Sequence, residues 1–233
     1  MTNKTILAFD LYGTLLSTHS IATTLAKHYG QDMAESIATL WRRYQIEYTF
    51  RLNSMKQYQD FEEVTRKSLL HTLAEYRLSM EINDIEEVMQ AYDNLSTFKD
   101  VVPALEELRN LDNVECVVFS NGTKKMITNS VNGSSQLSDC SNVFSQLVSI
   151  DHIRSFKPAP EVYKYLAHCV RMAGRESEVW LVSGNPFDVV GARSVGLNAA
   201  WVDRSSQGWQ DRLGPEPTKI IHGLGELVDI FKQ

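Results

Sequence analysis

Ile6-Leu7-Ala8-Phe9-Asp10-Leu11-Tyr12-Gly13-Thr14-Leu15 is the stretch on which the fold turns. Four consecutive apolar residues, followed at once by an acid and a Gly-Thr turn, read as a strand buried in a parallel sheet. Open parallel sheets keep their sites at the carboxyl ends of the strands, and Asp10 stands at that end. A carboxylate there can serve as a nucleophile toward carbon or phosphorus. The plainer alternative is a turn or helix-cap aspartate, which Gly13-Thr14 would also accommodate.

Working outward, strand-like runs recur at 5–9, 114–119, 146–150, 178–182 and 198–202, with helical patterns between the last four. Strands alternating with helices predict an α/β fold, a doubly wound parallel sheet. The interval after the first strand is too long for one crossover. Residues 17–97 read as helices at 20–29, 31–52, 60–77 and 84–95, and Phe61, Val64, Leu69 and Leu73 share one face of the third. The expected organisation is therefore a core of 1–16 and 98–233 with an inserted helical cap of 17–97. At the return to the core, Asp100 is expected as a helix N-cap and Pro103 as an early helical position. The Ser/Asn-rich stretch 129–142 looks the least ordered part of the core. The Gly- and Pro-bearing stretch 205–218 reads as a surface loop before a short last strand and helix.

Composition narrows the function. The chain has 233 residues, 43% hydrophobic and 22% charged, with a net charge of −6. These are the proportions of a soluble globular protein. The lack of a basic cluster argues against nucleic acid as a partner. An anionic substrate must then be drawn in by a local site, since the overall field repels it. Cys116, Cys140 and Cys169 form no CxxC pair and leave an odd count, which points to a reducing, cytoplasmic setting. No apolar run nears the about 20 residues that cross a membrane, and no signal peptide is expected.

Four polar signals follow strands in order. They are Asp10 with Gly13-Thr14, Phe119-Ser120-Asn121-Gly122, Lys157 in Phe156-Lys157-Pro158-Ala159-Pro160, and Ser183-Gly184-Asn185-Pro186-Phe187-Asp188. Carboxyl ends of parallel strands face one way, so these groups should converge. Lys157 is the natural partner to hold Asp10 as a carboxylate, the alternative being a solvated surface lysine. Ser120 and Asn121 could grip an anion or simply close a turn. Asp188 could be a base or a helix-start acid favoured by the macrodipole.

The set resembles the haloacid dehalogenase superfamily and, more narrowly, the L-2-haloacid dehalogenases. The similarity extends over essentially the whole chain and includes the cap segment Leu40-Trp41-Arg42-Arg43-Tyr44-Gln45-Ile46-Glu47-Tyr48-Thr49. The resemblance implies hydrolytic dehalogenation of short L-2-haloalkanoic acids through an ester on Asp10. It implies that the amides of Leu11 and Tyr12, with the Ser120 hydroxyl, hold the substrate carboxylate, and that Arg42 with Asn121 receives the halide. Thr14 resembles the hydroxyl that bonds the nucleophile loop. Tyr163 matches a tyrosine found near such sites, although core packing of its helix explains it equally well.

For hydrolysis of the ester a carboxylate base fits, because none of the six histidines falls in the four motifs. Asp188 takes that role, with Asn185, Ser183 and Lys157 positioning the water. Tyr12, Phe187, Leu11, Leu40, Phe61 and Trp41 are candidates for apolar walls, Tyr12 and Phe187 foremost. Phosphoryl-transfer relatives carry a second Asp where this chain has Tyr12, and usually an Asp where it has Asn185. A hard-cation site with oxygen ligands is thus poorly provided for, so no metal and no cofactor is expected. The substrate partners are a small 2-haloacid and water, and the resemblance allows a homodimer. Three rivals stay open: a magnesium-dependent phosphatase of the same superfamily, a metal-free hydrolase of another activated carbon, and a non-catalytic binding protein on this scaffold.

Overall fold

The computed structural model describes residues 4–232. Six parallel strands form one sheet in the order β3-β2-β1-β4-β5-β6, where β1 is Thr5–Phe9, β2 Val114–Ser120, β3 Phe144–Ser149, β4 Val179–Ser183, β5 Asn198–Val202 and β6 Lys219–Ile221. The chain winds one way from β1 through β2 to β3, then restarts on the other side with β4. The switch point is therefore between β1 and β4, where Phe9 pairs with Val182. Ile6 to Phe9 are all buried, as a strand covered on both faces requires. In the sequence this shows as an unbroken apolar run.

Four α-helices fall within residues 17–97, after β1: α1 (Ala22–Tyr29), α2 (Gln31–Met55), α3 (Phe61–Glu75) and α4 (Ile82–Tyr92). Gly30, at φ 77°, separates α1 from α2, and Lys56 ends α2 in the left-handed region. Asp60 caps α3 by accepting the Glu63 amide at 2.9 Å. Phe61, Val64, Leu69 and Leu73 are all buried, as their spacing predicts. The Trp41 indole, in α2, donates to Thr65 O at 2.8 Å and so locks α2 onto α3. The chain leaves and re-enters the sheet side by side: Ser17 N–H donates to Ser96 O and Phe98 N–H to Leu15 O.

The remaining helices are α5 (Val101–Leu108), α6 (Lys124–Asn132), α7 (Pro160–Cys169), α8 (Pro186–Ser194) and α9 (Gly225–Phe231). Pro160 and Pro186 open α7 and α8, where the missing N–H is no loss. The structure refines three sequence expectations here. Asp100 holds the N-cap position of α5, as expected, but its side chain makes no capping bond; its carboxylate takes a two-point bond from Arg204 and the Leu224 amide instead. Residues 129–142 finish α6 and then form a 3-10 turn at Ser138–Val143 anchored by buried Leu137 and Cys140. The third strand begins two residues earlier than expected, because Phe144 packs edge-on against Phe9.

Candidate active site

Asp10 leaves β1 at the switch point, with its own amide tied to Val182 O at 3.0 Å. The turn that follows and the loop after β4 that packs on it each need a glycine. Gly13 has φ 89°, and a side chain there would also crowd the Asn185 amide; a Cβ on Gly184 would lie 2.5 Å from Gly13 O. Thr14 joins the two loops, donating to Asp10 Oδ2 at 2.7 Å and accepting the Gly184 amide at 2.9 Å. Asn185 Nδ2 donates to the same Asp10 oxygen at 2.8 Å and to Tyr12 O at 3.1 Å. The Ser183 hydroxyl accepts the Asn185 amide at 3.1 Å, which shapes the turn beneath Asn185.

Lys157 reaches Asp10 from the loop after β3. Its residue is 1% exposed, which excludes the surface-lysine alternative. Nζ donates to Asp10 Oδ1 at 3.0 Å, Asp188 Oδ2 at 2.8 Å and Phe119 O at 2.8 Å. An ammonium has three protons, and all three are committed. Burial pushes its pKa down, but the carboxylates of Asp10 and Asp188 more than offset this and hold it above the ordinary lysine value. Its backbone N–H donates to Asn121 Oδ1 at 3.0 Å.

Asp188 lies in the first turn of α8 and is fully buried behind Lys157, off the cavity wall. Tyr163 explains part of this arrangement: its hydroxyl donates to Asp188 Oδ1 at 2.8 Å. Tyr163 is thus neither simple core filling nor a cavity residue. Burial raises the pKa of Asp188, Lys157 opposes the rise and Asp10 adds to it. One ammonium shared by two carboxylates leaves one of them incompletely compensated.

The cavity beside Asp10 is about 20 Å³ and is lined by side chains of both the sheet and the α1–α4 segment. Asp10, Ser120, Asn121, Lys157, Asn185 and Phe187 come from the sheet side; Arg42, Ile46, Thr49 and Phe61 come from α2 and α3. Tyr12 completes the wall. Its ring stacks on Phe61 with centroids 5.7 Å apart, and burial raises the phenol's pKa far beyond physiological values. A neutral aromatic therefore fills the position where an acid had been the alternative.

Among the described residues, the amides of Leu11 and Tyr12 have no hydrogen-bond acceptor, so two N–H groups beside Asp10 are left for an anion. Ser120 Oγ accepts the Gly122 amide at 3.1 Å and retains its own proton. Arg42 reaches the site from α2: Nη2 donates to Tyr12 O at 2.9 Å and Asn185 Oδ1 at 3.2 Å, while Nη1 donates to Gln45 Oε1 at 2.7 Å.

The motif residues converge as expected, whereas the wall residues do so only in part. Leu11, Leu40 and Trp41 are absent from the cavity wall. The Leu11 side chain turns into the core, and Trp41 is spent on α3. Sequence reasoning missed Gln45, Ile46, Thr49 and Asn53. Their signal was the helical stripe 42, 45, 46, 49, 53 along α2. Potential metal ligands come together elsewhere, in His28, Asp84 and Glu87 of α1 and α4; there Glu87 is already paired with Lys27 at 2.8 Å.

A parallel sheet that presents an aspartate after its first strand, tied to a buried lysine and a second acid, defines a hydrolase core of the haloacid dehalogenase type. The family model for haloacid dehalogenase-like hydrolases matches residues 4–196. The (S)-2-haloacid dehalogenase H-109 of Pseudomonas putida is 33% identical over 223 residues, 96% of each chain. Haloacetate dehalogenase H-2 of a Moraxella strain is 33% identical over 225 residues, 97% of this chain and 96% of that one. The L-2-haloacid dehalogenase of Xanthobacter autotrophicus, solved with chloropropionic acid covalently bound, superposes with a TM-score of 0.89 at 27% identity over 98% of both chains. The chain belongs to the haloacid dehalogenase-like hydrolases, and within them to the L-2-haloacid dehalogenase group.

Proposed function

We propose that this protein hydrolyses the carbon–halogen bond of short L-2-haloalkanoic acids and yields D-2-hydroxy acids. The observation that carries the reading is the Asp10 carboxylate, oriented by Lys157, Thr14 and Asn185 on the wall of a small cavity that Arg42 also lines. The helical segment 17–97 acts as a cap that brings Arg42, Ile46, Thr49 and Phe61 over the core. An Asp10 oxygen attacks C2 opposite the halogen, the carbon–halogen bond breaks with inversion, and the halide departs toward Arg42 and Asn121. The substrate carboxylate is held by the Leu11 and Tyr12 amides and the Ser120 hydroxyl. A guanidinium at the departing halide is worth more in the transition state than before it, because that is when the charge develops.

Water then attacks the carbonyl carbon of the Asp10 ester as Asp188 takes one of its protons; the former Asp10 oxygen collects that proton as the hydroxy acid leaves, and the second proton is released to solvent as Asp10 regains its carboxylate. Esterification removes the charge of Asp10, which frees Lys157 toward Asp188 and the incoming water. Asn185 and Ser183 position that water, and Phe187 with Tyr12 keeps the carbon in an apolar wall. The reaction uses no metal or cofactor. Three unpaired cysteines fit a cytoplasmic enzyme, and no helix of the described residues is long and apolar enough to cross a membrane. A homodimer is the proposed assembly, to be tested by light scattering.

The test is halide release from L- and D-2-chloropropionate with EDTA present, beside an Asp10→Asn variant. Chloride from the L form only, lost in the variant, is expected. Magnesium-dependent phosphate release from a generic phosphomonoester, without chloride, would overturn the reading in favour of a phosphatase. Binding of the haloacid with no turnover would leave only the scaffold.

A further inference from the structure

We infer that Gln45 is a positioning residue that aims the Arg42 guanidinium at the departing anion. The inference rests on the dehalogenase reading only for the identity of that anion.

Gln45 follows Arg42 by three residues on α2 and is 1% exposed. It does not line the cavity. Its Oε1 accepts Arg42 Nη1 at 2.7 Å and the Tyr92 hydroxyl at 3.1 Å. Its Nε2 donates to Thr65 Oγ1 at 2.7 Å. The Thr65 hydroxyl has a single proton, and that proton goes to Phe61 O at 2.6 Å. Thr65 can therefore only accept from Gln45, which fixes the amide with its oxygen toward Arg42. Tyr92 supports the same orientation, since burial raises its pKa and keeps it a donor.

The guanidinium is thus gripped on two different nitrogens, Nη1 by Gln45 and Nη2 by Tyr12 O and Asn185 Oδ1. Two grips fix both the plane and the roll of a planar cation. Arg42 also lies within hydrogen-bonding reach of the Tyr92 hydroxyl, and its guanidinium lines the cavity in which an anion would sit. Gln45 supplies an acceptor without a negative charge. A glutamate there would hold Arg42 equally well but cancel the charge that a halide needs.

The test compares wild type, Gln45→Met and Gln45→Glu on L-2-chloro- and L-2-bromopropionate. Chloride leaves less readily than bromide and depends more on the guanidinium. For Gln45→Met, kcat on the chloro acid should fall about tenfold to a hundredfold, with a smaller fall on the bromo acid. KM should change little. Gln45→Glu should lose more on both.

A double-mutant cycle separates positioning from packing. In an Arg42→Lys background Gln45→Met should cost little further activity, because what it positions has gone. Equal losses on both acids, or full additivity in the cycle, would overturn the inference. Bromide-induced thermal stabilisation gives a readout free of turnover: it should be present in wild type and weakened in Gln45→Met. If wild type releases no halide while this Gln45-dependent stabilisation persists, the dehalogenase reading fails and the positioning role stands. Equal stabilisation of both proteins overturns the positioning role whether or not halide is released.

Discussion

The side-chain amide of Asn53 brackets the backbone of Phe156, accepting its N–H at 2.9 Å and donating to its carbonyl at 2.7 Å. Asn53 belongs to the last turn of α2, and Phe156 immediately precedes Lys157. The helix that carries Arg42 is therefore fastened to the loop that carries the lysine, and the two halves of the site are seated together. Replacing Asn53 by Leu removes both bonds and leaves the Phe156 N–H unpaired, while its carbonyl keeps the Ala159 amide at 2.9 Å. A stability loss of about 1–3 kcal/mol is expected. Steady-state kinetics should show a fall in kcat of about tenfold, since small misplacements at a reacting centre are costly. Unchanged kcat beside the same stability loss would mean that the bracket is structural only.

Lys157 sits between two carboxylates with no proton to spare, so Lys157→Met strands both acids inside the protein. Urea titration should show a loss of about 3–5 kcal/mol, the range for breaking a buried ion pair from one side. The sign of the pH effect follows from the raised pKa of Lys157 in the folded state. Its contribution is complete below the ordinary ammonium pKa of about 10.4 and disappears as pH climbs through the higher folded value. The lysine's own share of the stability gap between wild type and Lys157→Met should thus be flat around neutrality and be lost only in strong alkali, while protonation of the stranded acids narrows the gap on the acid side. A gap that already shrinks in mild alkali would contradict this.

Tyr163 donates to the ionised form of Asp188 and so lowers a pKa that burial has raised. In Tyr163→Phe that support is gone and the pKa rises further. If Asp188 accepts the proton from water, the acid-side fall of kcat must move to higher pH in the variant. An acid limb at the wild-type position, with kcat reduced at every pH, would remove Asp188 from the proton transfer.

The cavity beside Asp10 is small, about 20 Å³, so two- and three-carbon acids should react fastest. Ile46 and Thr49 close it from α2. Ile46→Ala should raise the rate on 2-chlorobutanoate relative to 2-chloropropionate by several-fold, since a methylene in a hydrophobic pocket is worth roughly 1–3 kcal/mol. An unaltered ratio of the two rates would place the limit on chain length elsewhere in the wall.

Much of this architecture is written in contiguous sequence. Asp10, Ser120, Asn185 and Asp188 each follow or end a strand whose apolar run is unbroken, so order along the chain gave their convergence. Lys157 was legible from its Pro-x-Pro setting. The α2 residues were harder, because the sequence shows a stripe of Arg42, Gln45, Ile46, Thr49 and Asn53 without saying what the stripe faces. That depends on the docking of α2 by Trp41 and Asn53, a tertiary matter. Asp100 was half legible for a similar reason: it holds the N-cap position, but its carboxylate goes to Arg204, far along the chain. The position of Asp188 behind Lys157 likewise depends on Tyr163, whose role no local pattern announces.

The central claim is that Asp10 itself forms the bond to carbon. One turnover of L-2-chloropropionate by excess enzyme in heavy-oxygen water tests it directly, with mass spectrometry of both the Asp10 peptide and the product. The account predicts heavy oxygen in the Asp10 carboxylate and none in the first molecule of 2-hydroxypropionate. Label in that first product, with Asp10 unlabelled, would mean that water displaces the halide itself, and the ester mechanism would be wrong.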